Sequence, residues 1–197
     1  MQKKKHHHGD LRESLILAGL ALLEEGGPEA LTLRKCAAKA GVSHAAPAHH
    51  FNGVMSLNAA IIARGYKKFT ETMLEYLNVS EDSPRHRLLA ICEGYLDFSR
   101  SHGALFHLMF QDYSDAKRQL NDSVLQELNR ESEAAYTVLH NACAPFAPIG
   151  GQAQGTEVVV WSLVHGYATL FASSKDRETP RGPVPDFAKI MPDFPLR

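Results

Sequence analysis

The stretch Gly41–Val54 reads GVSHAAPAHHFNGV. It opens on a glycine that can stop a helix, follows with a serine that can start one, and holds three histidines but no lysine or arginine. Just upstream, Thr32 is a good N-cap for LRKCAAKA, and Gly41 sits where a left-handed C-terminal residue belongs. Ser43 is then expected to cap a further helix, HAAPAHHF, closed by Asn52 and Gly53, with Pro47 near the first turn, where a missing N–H costs least. Helix, short turn, helix is the spacing of a helix-turn-helix, whose second helix offers its N-terminal side chains to the major groove of DNA. The residues at that end are Ser43, His44, Ala45 and Ala46, small enough to let the backbone approach and with two hydrogen-bonding groups able to read base edges.

Working outward, Leu11, Leu15, Ala18 and Leu22 stripe a preceding helix that Asp10 can cap and that Gly26, Gly27 and Pro28 must end. Beyond Gly53, Ile62, Tyr66, Phe69, Met73 and Leu77 stripe a helix running to about Val79. Leu88, Ile91, Cys92, Tyr95, Phe98 and Ser99 stripe the next, started after Ser83-Pro84 and stopped near Gly103. ALFHLMF (104–110) reads as a short, deeply buried helix. A long one follows from about Ala116 to Cys143, with Val124, Leu128, Ala135, Val138 and Leu139 inward. The loop APFAPIGGQAQG leads to a last helix, about Thr156 to Ser174, and the tail from Pro180 to Arg197 holds five of the ten prolines and is expected to be mostly irregular. No strand-like alternation stands out, so the fold class is all-α.

The chain has 197 residues, is 44% hydrophobic and carries a formal net charge of −1. No apolar run approaches the roughly 18 residues of a membrane span. The three cysteines, Cys36, Cys92 and Cys143, are far apart in sequence, and the expected setting is the cytoplasm with its thiols reduced. The charge is uneven: up to Phe69 there are ten Lys and Arg against five Asp and Glu, and afterwards eleven against seventeen. A basic head on an acidic body points to a polyanion at one end only.

The segments HHGDLRESLILAGLALLEEGG, LTLRKCAAKAGVSHAAP and HHF, in this order and spacing, resemble the DNA-binding domain of TetR-family transcriptional regulators. WSLVHG (161–166) resembles the Trp-His-Gly motif of one C-terminal ligand-binding subgroup of that family. The resemblance implies that Thr32 and Arg34 meet phosphates, that Ser43, His44, Ala45 and Ala46 enter the groove, and that His49 and His50 contact the backbone of double-stranded operator DNA. Two positions depart from it. Family members usually carry Tyr where this chain has Ala48 and Lys where it has Val54, and both groups normally hold phosphate. Lys3, Lys4 and Lys5 are expected to compensate along the backbone or the minor groove.

Other chemistry is sparsely signalled. Eleven histidines include His102 and His107, five residues apart and on poorly matched helix faces, and no cysteine stands two to four residues from another, so neither a metal site nor a cofactor is expected. There is no Gly-rich phosphate loop and no GxSxG, so the chain is not read as an enzyme. Tyr95, Phe106, Met109, Phe110, Tyr113, Tyr136, Trp161 and His165 combine apolar bodies with a few polar tips, the composition of a pocket for a small hydrophobic ligand and equally of a helical core. VVVWSLVHGYATLF is apolar almost all round, so a partner is expected to cover one side, with Gly166 and Ala168 allowing close approach. The resemblance implies a four-helix homodimer interface built from this helix and the long one before it; the alternative is a monomer whose tail folds back over that face.

The expected organisation is a helix-turn-helix domain over residues 1–56, a helical ligand-binding and dimerisation domain over 57–179, and a Pro-rich tail over 180–197. The expected function is a repressor that binds a palindromic operator as a homodimer and is released by a ligand. The alternatives are a ligand-binding or protein-interaction module with weakened DNA binding, and a helical enzyme.

Overall fold

The computed structural model describes residues 8–111, 120–171, 178–179 and 182–197. They form α1 (His8–Gly26), α2 (Leu33–Lys39), α3 (Gly53–Asn78), α4 (Pro84–Ser101), α5 (Gly103–Met109), α6 (Asp122–Cys143), α7 (Gly155–Phe171) and α8 (Phe187–Ile190). Single 3-10 turns stand at Pro28–Ala30, Ala46–His49 and Ile149–Gly151. The described part of the tail is mostly irregular, as expected, although β1 (Glu178–Thr179), just before it, pairs antiparallel with β2 (Gly182–Pro183), and Phe146 and Leu196 form an isolated bridge. No helix among the described residues is long and apolar enough to cross a membrane.

Packing does not divide the chain at residues 56 and 179. One compact unit takes the described residues up to Gly65 together with Ala104–Ser132; the other takes Tyr66–Gly103 and Glu133–Arg197. Thus α3 and α6 each contribute to both.

In the first unit α1 is already helical at His8, so Asp10 lies within the helix rather than capping it. Its buried side carries Leu15, Ile16, Ala18 and Leu23, whereas Leu11 and Leu22 are half-buried. They meet Cys36 and Ala37 of α2, Phe51, and Leu57 and Ile61 of α3 as one buried set. Two glycines permit close approach. A Cβ at Gly19 would stand 2.5 Å from Ile61 Cδ1, and one at Gly65 would stand 2.7 Å from Met109 Sδ, which draws α5 onto α3. Leu105, Phe106, Leu108 and Met109 are all buried, so the short helix is as deep as its sequence implies.

In the second unit Ser83 caps α4 by accepting the His86 N–H, and Pro84 occupies a first-turn position where it loses no helical bond. Leu88, Ile91, Cys92, Tyr95, Phe98 and Ser99 are all buried, as the stripe requires. Ala135, Val138 and Leu139 of α6 and Val160, Val164 and Ala168 of α7 complete that core. The tail docks on the same unit: Tyr167 donates its hydroxyl to Pro185 O at 2.6 Å and meets the Phe187 ring at 5.1 Å, and Arg85 donates to Met191 O and Pro192 O at 3.0 and 2.8 Å.

Two helices of this unit approach closely at Gly94, where an added Cβ would lie 2.9 Å from Met73 Cα and 3.1 Å from Thr72 O. Backbone atoms cannot swing aside as side chains do. Gly94→Ala should therefore destabilise the fold by about 1–3 kcal/mol, seen as a lower urea midpoint at unchanged slope; a midpoint at or above that of the unmodified protein would mean that α3 and α4 separate at little cost.

Candidate functional site

The helix-turn-helix is assembled by local backbone chemistry. Thr32 is extended (φ −139°, ψ 150°) and its Oγ1 accepts the Lys35 N–H at 3.2 Å, as an N-cap should. At the other end of α2, Gly41 takes φ 70°. Val42 N–H donates to Ala37 O and Gly41 N–H to Ala38 O at 3.0 and 3.1 Å, the paired bonds of a Schellman turn.

The segment that follows is not the Ser43-capped α-helix expected. It is a 3-10 turn, Ala46–His49, with no side-chain cap; Ser43 enters it through its carbonyl, which accepts the Ala46 N–H at 3.0 Å. Ala48 N–H donates to Ala45 O and His50 N–H to Pro47 O, again three residues apart. Pro47 explains the difference: it has no N–H to give to Ser43 O, and its ring disfavours helical geometry at Ala46, so the tighter repeat survives where the α repeat is interrupted.

This turn still presents its residues outward. Ser43, His44, Ala45, Ala48 and His49 are exposed, Ala46 and His50 are half-buried, and Pro47 and Phe51 face the core. Thr32 and Arg34 are exposed beside them. So is Lys35, which sequence reasoning passed over although it follows Arg34 directly. Lys39 is engaged with Glu25 at 2.7 Å. Val54 is half-buried at the start of α3. Lys3, Lys4 and Lys5 lie outside the described residues.

The candidate ligand residues fall into separate sets. Phe106, Met109 and Phe110 belong to the first unit, where the two phenyl rings are 4.9 Å apart; Tyr95, Tyr136, Trp161 and His165 belong to the second; Tyr113 lies outside the described residues. Within the second unit the Trp-His pair has a clear physical role. Trp161 and His165 are four apart, hence on neighbouring turns of one side of α7, and both bond to the buried Tyr95 hydroxyl of α4. The Tyr95 hydroxyl and His165 Nδ1 stand 2.8 Å apart, and the hydrogen bond from Trp161 opposes the rise in the Tyr95 pKa that burial causes. Burial holds Tyr95 in its neutral form by raising its pKa, and Phe69 packs edge-on against it at 4.7 Å.

A second polar centre was not foreseen. Glu157, in the first turn of α7, is 7% exposed, accepts the Tyr136 hydroxyl at 2.5 Å on Oε2 and has His140 Nδ1 at 3.0 Å from Oε1. The positive end of the helix favours the carboxylate there. The bond to Glu157 is the largest cause pushing Tyr136 up to about 12, with burial next. Burial first and Glu157 second push the Cys143 thiol to about 12, so it is a poor nucleophile. A lone glutamate in an apolar helix start carried too little pattern to be singled out.

Burial also lowers the His165 pKa from its ordinary 6.5. The unfolded chain then binds this proton more readily than the folded one, so the stability contributed by neutral His165 is complete above pH 6.5 and is lost as the pH falls from there through the lowered value. In urea unfolding at about pH 7.5 and about pH 5.5, His165→Asn should lose less stability between the two conditions than the unmodified protein. Equal losses would mean that His165 is no more buried in the folded than in the unfolded chain.

The comparisons with known proteins agree with this architecture. A model of the tetracyclin repressor-like C-terminal domain matches residues 88–183. The HTH-type transcriptional regulator BetI of Stenotrophomonas maltophilia is 29% identical over 118 residues, 60% of this chain and 60% of that one. BetI of Serratia proteamaculans is 28% identical over 146 residues, 73% of this chain and 70% of that one. The chain thus spans less than two thirds of the first of these relatives and slightly more of the second. A solved structure of a protein with unknown function from Rhodococcus sp. RHA1 superposes with a TM-score of 0.70 at 28% identity, covering 90% of this chain and 91% of that one. With a capped helix-turn-helix at one end and Tyr95 bonded by Trp161 and His165 at the other, the chain is similar to TetR-family transcriptional regulators, and its residues 88–183 match that family's C-terminal domain.

Proposed function

We propose that this protein is a transcriptional repressor that binds a palindromic operator as a homodimer and is released by a small hydrophobic ligand. The observation that carries the reading is the outward presentation of Ser43, His44, Ala45 and His49 directly after a capped helix and a left-handed glycine, with Thr32, Arg34 and Lys35 exposed alongside. Ser43 to Ala46 read base edges; Thr32, Arg34, Lys35, His49 and His50 position the segment on phosphate, and Lys3, Lys4 and Lys5 extend that contact.

The two-fold partner is supported by α7. Val158 and Trp161 are 55% and 42% exposed, Ser162 and Thr169 are exposed beside them, and a Cβ at Gly166 would meet nothing within 4 Å. The tail packs on Tyr167 and leaves these residues uncovered, which favours a second copy over a folded-back tail. Two recognition segments fit successive major grooves when they stand ~34–36 Å apart or a multiple of it. A ligand among the candidate residues of the second unit, Tyr95, Tyr136, Trp161 and His165, shifts that separation, with a coupling of about 1–3 kcal/mol.

One observation favours a head with weakened DNA binding: Ala48 is exposed and Val54 half-exposed where phosphate-holding Tyr and Lys would stand by resemblance. Ala48→Tyr with Val54→Lys should tighten binding to unrelated duplex and to fragments selected from random DNA by similar factors, and the lysine should steepen the log–log salt slope by about 0.9. No gain on either DNA would sink the docking assumed for this segment. In sedimentation, the unmodified protein should be a dimer at micromolar concentration and Val158→Glu a monomer with unchanged helicity; a Val158→Glu dimer of equal strength would move the interface off α7.

A further inference from the structure

Arg12 and Glu13 are adjacent on α1, carry opposite charges and are each held by an opposite charge from a different helix. Arg12 Nη2 donates to Glu127 Oε2 of α6 at 2.6 Å, and Arg64 of α3 grips both Glu13 oxygens with a two-nitrogen fork at 2.5 and 2.6 Å. The Arg12–Glu127 pair is partly sheltered, its side chains 32% and 29% exposed. The Arg12 guanidinium also lies over the Phe51 ring, 5.7 Å from its centroid. Phe51 is 2% exposed, follows the 3-10 turn directly, and shares Pro47 O with His50 as the acceptor of its amide. The placement of Phe51 therefore sets the direction of Ala46–His49.

We propose that Arg12 is the positioning residue of the recognition segment: anchored by Glu127 on α6, it fixes Phe51 and thereby the orientation of the turn that meets DNA. Guanidinium suits the task because one planar group can donate at its edge to a carboxylate while its face rests on an aromatic ring. A shift of α6 that withdraws Glu127 releases Arg12 from its geometry over Phe51, so the recognition segment loosens without any contact between ligand and head. α6 carries Tyr136 and His140 further along, the two residues that bond Glu157. Sequence spacing does not show this: residues 12, 51 and 127 meet only after α1, the turn and α6 are packed. The proposal rests on the DNA-binding reading for its purpose but not for its test.

Amide hydrogen exchange at His50 and Phe51 in the full chain without DNA reads the positioning directly. Glu127→Gln should speed exchange at these two amides about two- to fivefold, and Arg12→Met about five- to tenfold. The double variant should be no faster than Arg12→Met alone, because both act through one path. Arg12→Lys, which keeps the ion pair but not the planar stacking, should fall between the unmodified protein and Arg12→Met, and takes its place in the cycle if Arg12→Met does not fold. Lys39→Met, which breaks an exposed pair elsewhere on α2, should leave both amides unchanged. Unchanged exchange in Glu127→Gln, or effects that multiply in the double variant, would overturn the proposal. On a duplex fragment that the unmodified protein selects from random DNA, Glu127→Gln should bind more weakly by the same factor. If the unmodified protein selects no duplex, the DNA reading fails while the exchange measurements still decide the role of Arg12.

Discussion

The left-handed turn at Gly41 is the constraint on which the exposed surface of Ser43 to His49 depends. A side chain at φ 70° would crowd its own backbone, and the two Schellman bonds that end α2 exist only in that conformation. Because the chain leaves α2 in a fixed direction, the next residues have little freedom, and Pro47 then decides how they wind. The resulting turn is short, but it is anchored at both ends: Val42 is tied back to Ala37, and Phe51 is buried beneath Arg12. A rigid short turn positions a few side chains as well as a longer helix does, provided its ends cannot move independently.

The second unit uses buried hydrogen bonds where the first uses ion pairs. Tyr95 bonds to both Trp161 and His165, so two residues of α7 converge on one of α4 through neutral groups that cost little to bury once paired. Glu157 is a harder case, being a carboxylate almost out of solvent. Its two partners on α6 and its place in the first turn of α7 offset the desolvation. Removing one partner would leave a buried charge short of a donor, so α6 and α7 are held in register at their facing ends. Along its length α6 carries Glu127 in the first unit and the Glu157 partners in the second.

The outward side of α7 follows the same logic from the opposite direction. Val160 and Val164 have no exposure at all, while Val158, Trp161 and Leu170 keep 42 to 74%. Apolar area of that size on one helix is unfavourable in water unless something covers it. The tail, which had the length and the aromatic residues to do so, is instead occupied with Tyr167, Arg85 and Phe146.

By itself the sequence determined most of the helices and several of their ends. Thr32, Ser83 and Gly41 act within a few residues of where they stand, through bonds to amides and carbonyls that are neighbours in the chain, and the stripe of α4 buried every residue it named. The resemblance carried by LTLRKCAAKAGVSHAAP and WSLVHG likewise lay in contiguous residues. Local reasoning failed where two local preferences competed: Ser43 was a sound cap for a helix that Pro47 did not allow. The tertiary structure alone decided the rest. It brought Arg12 onto Phe51 and Glu127, placed Tyr95 between Trp161 and His165, buried Glu157 between Tyr136 and His140, and sorted the aromatic residues into different compact units. Those arrangements join residues far apart in the chain, and the energy that selects them comes from desolvation and charge pairing that exist only once the helices are packed.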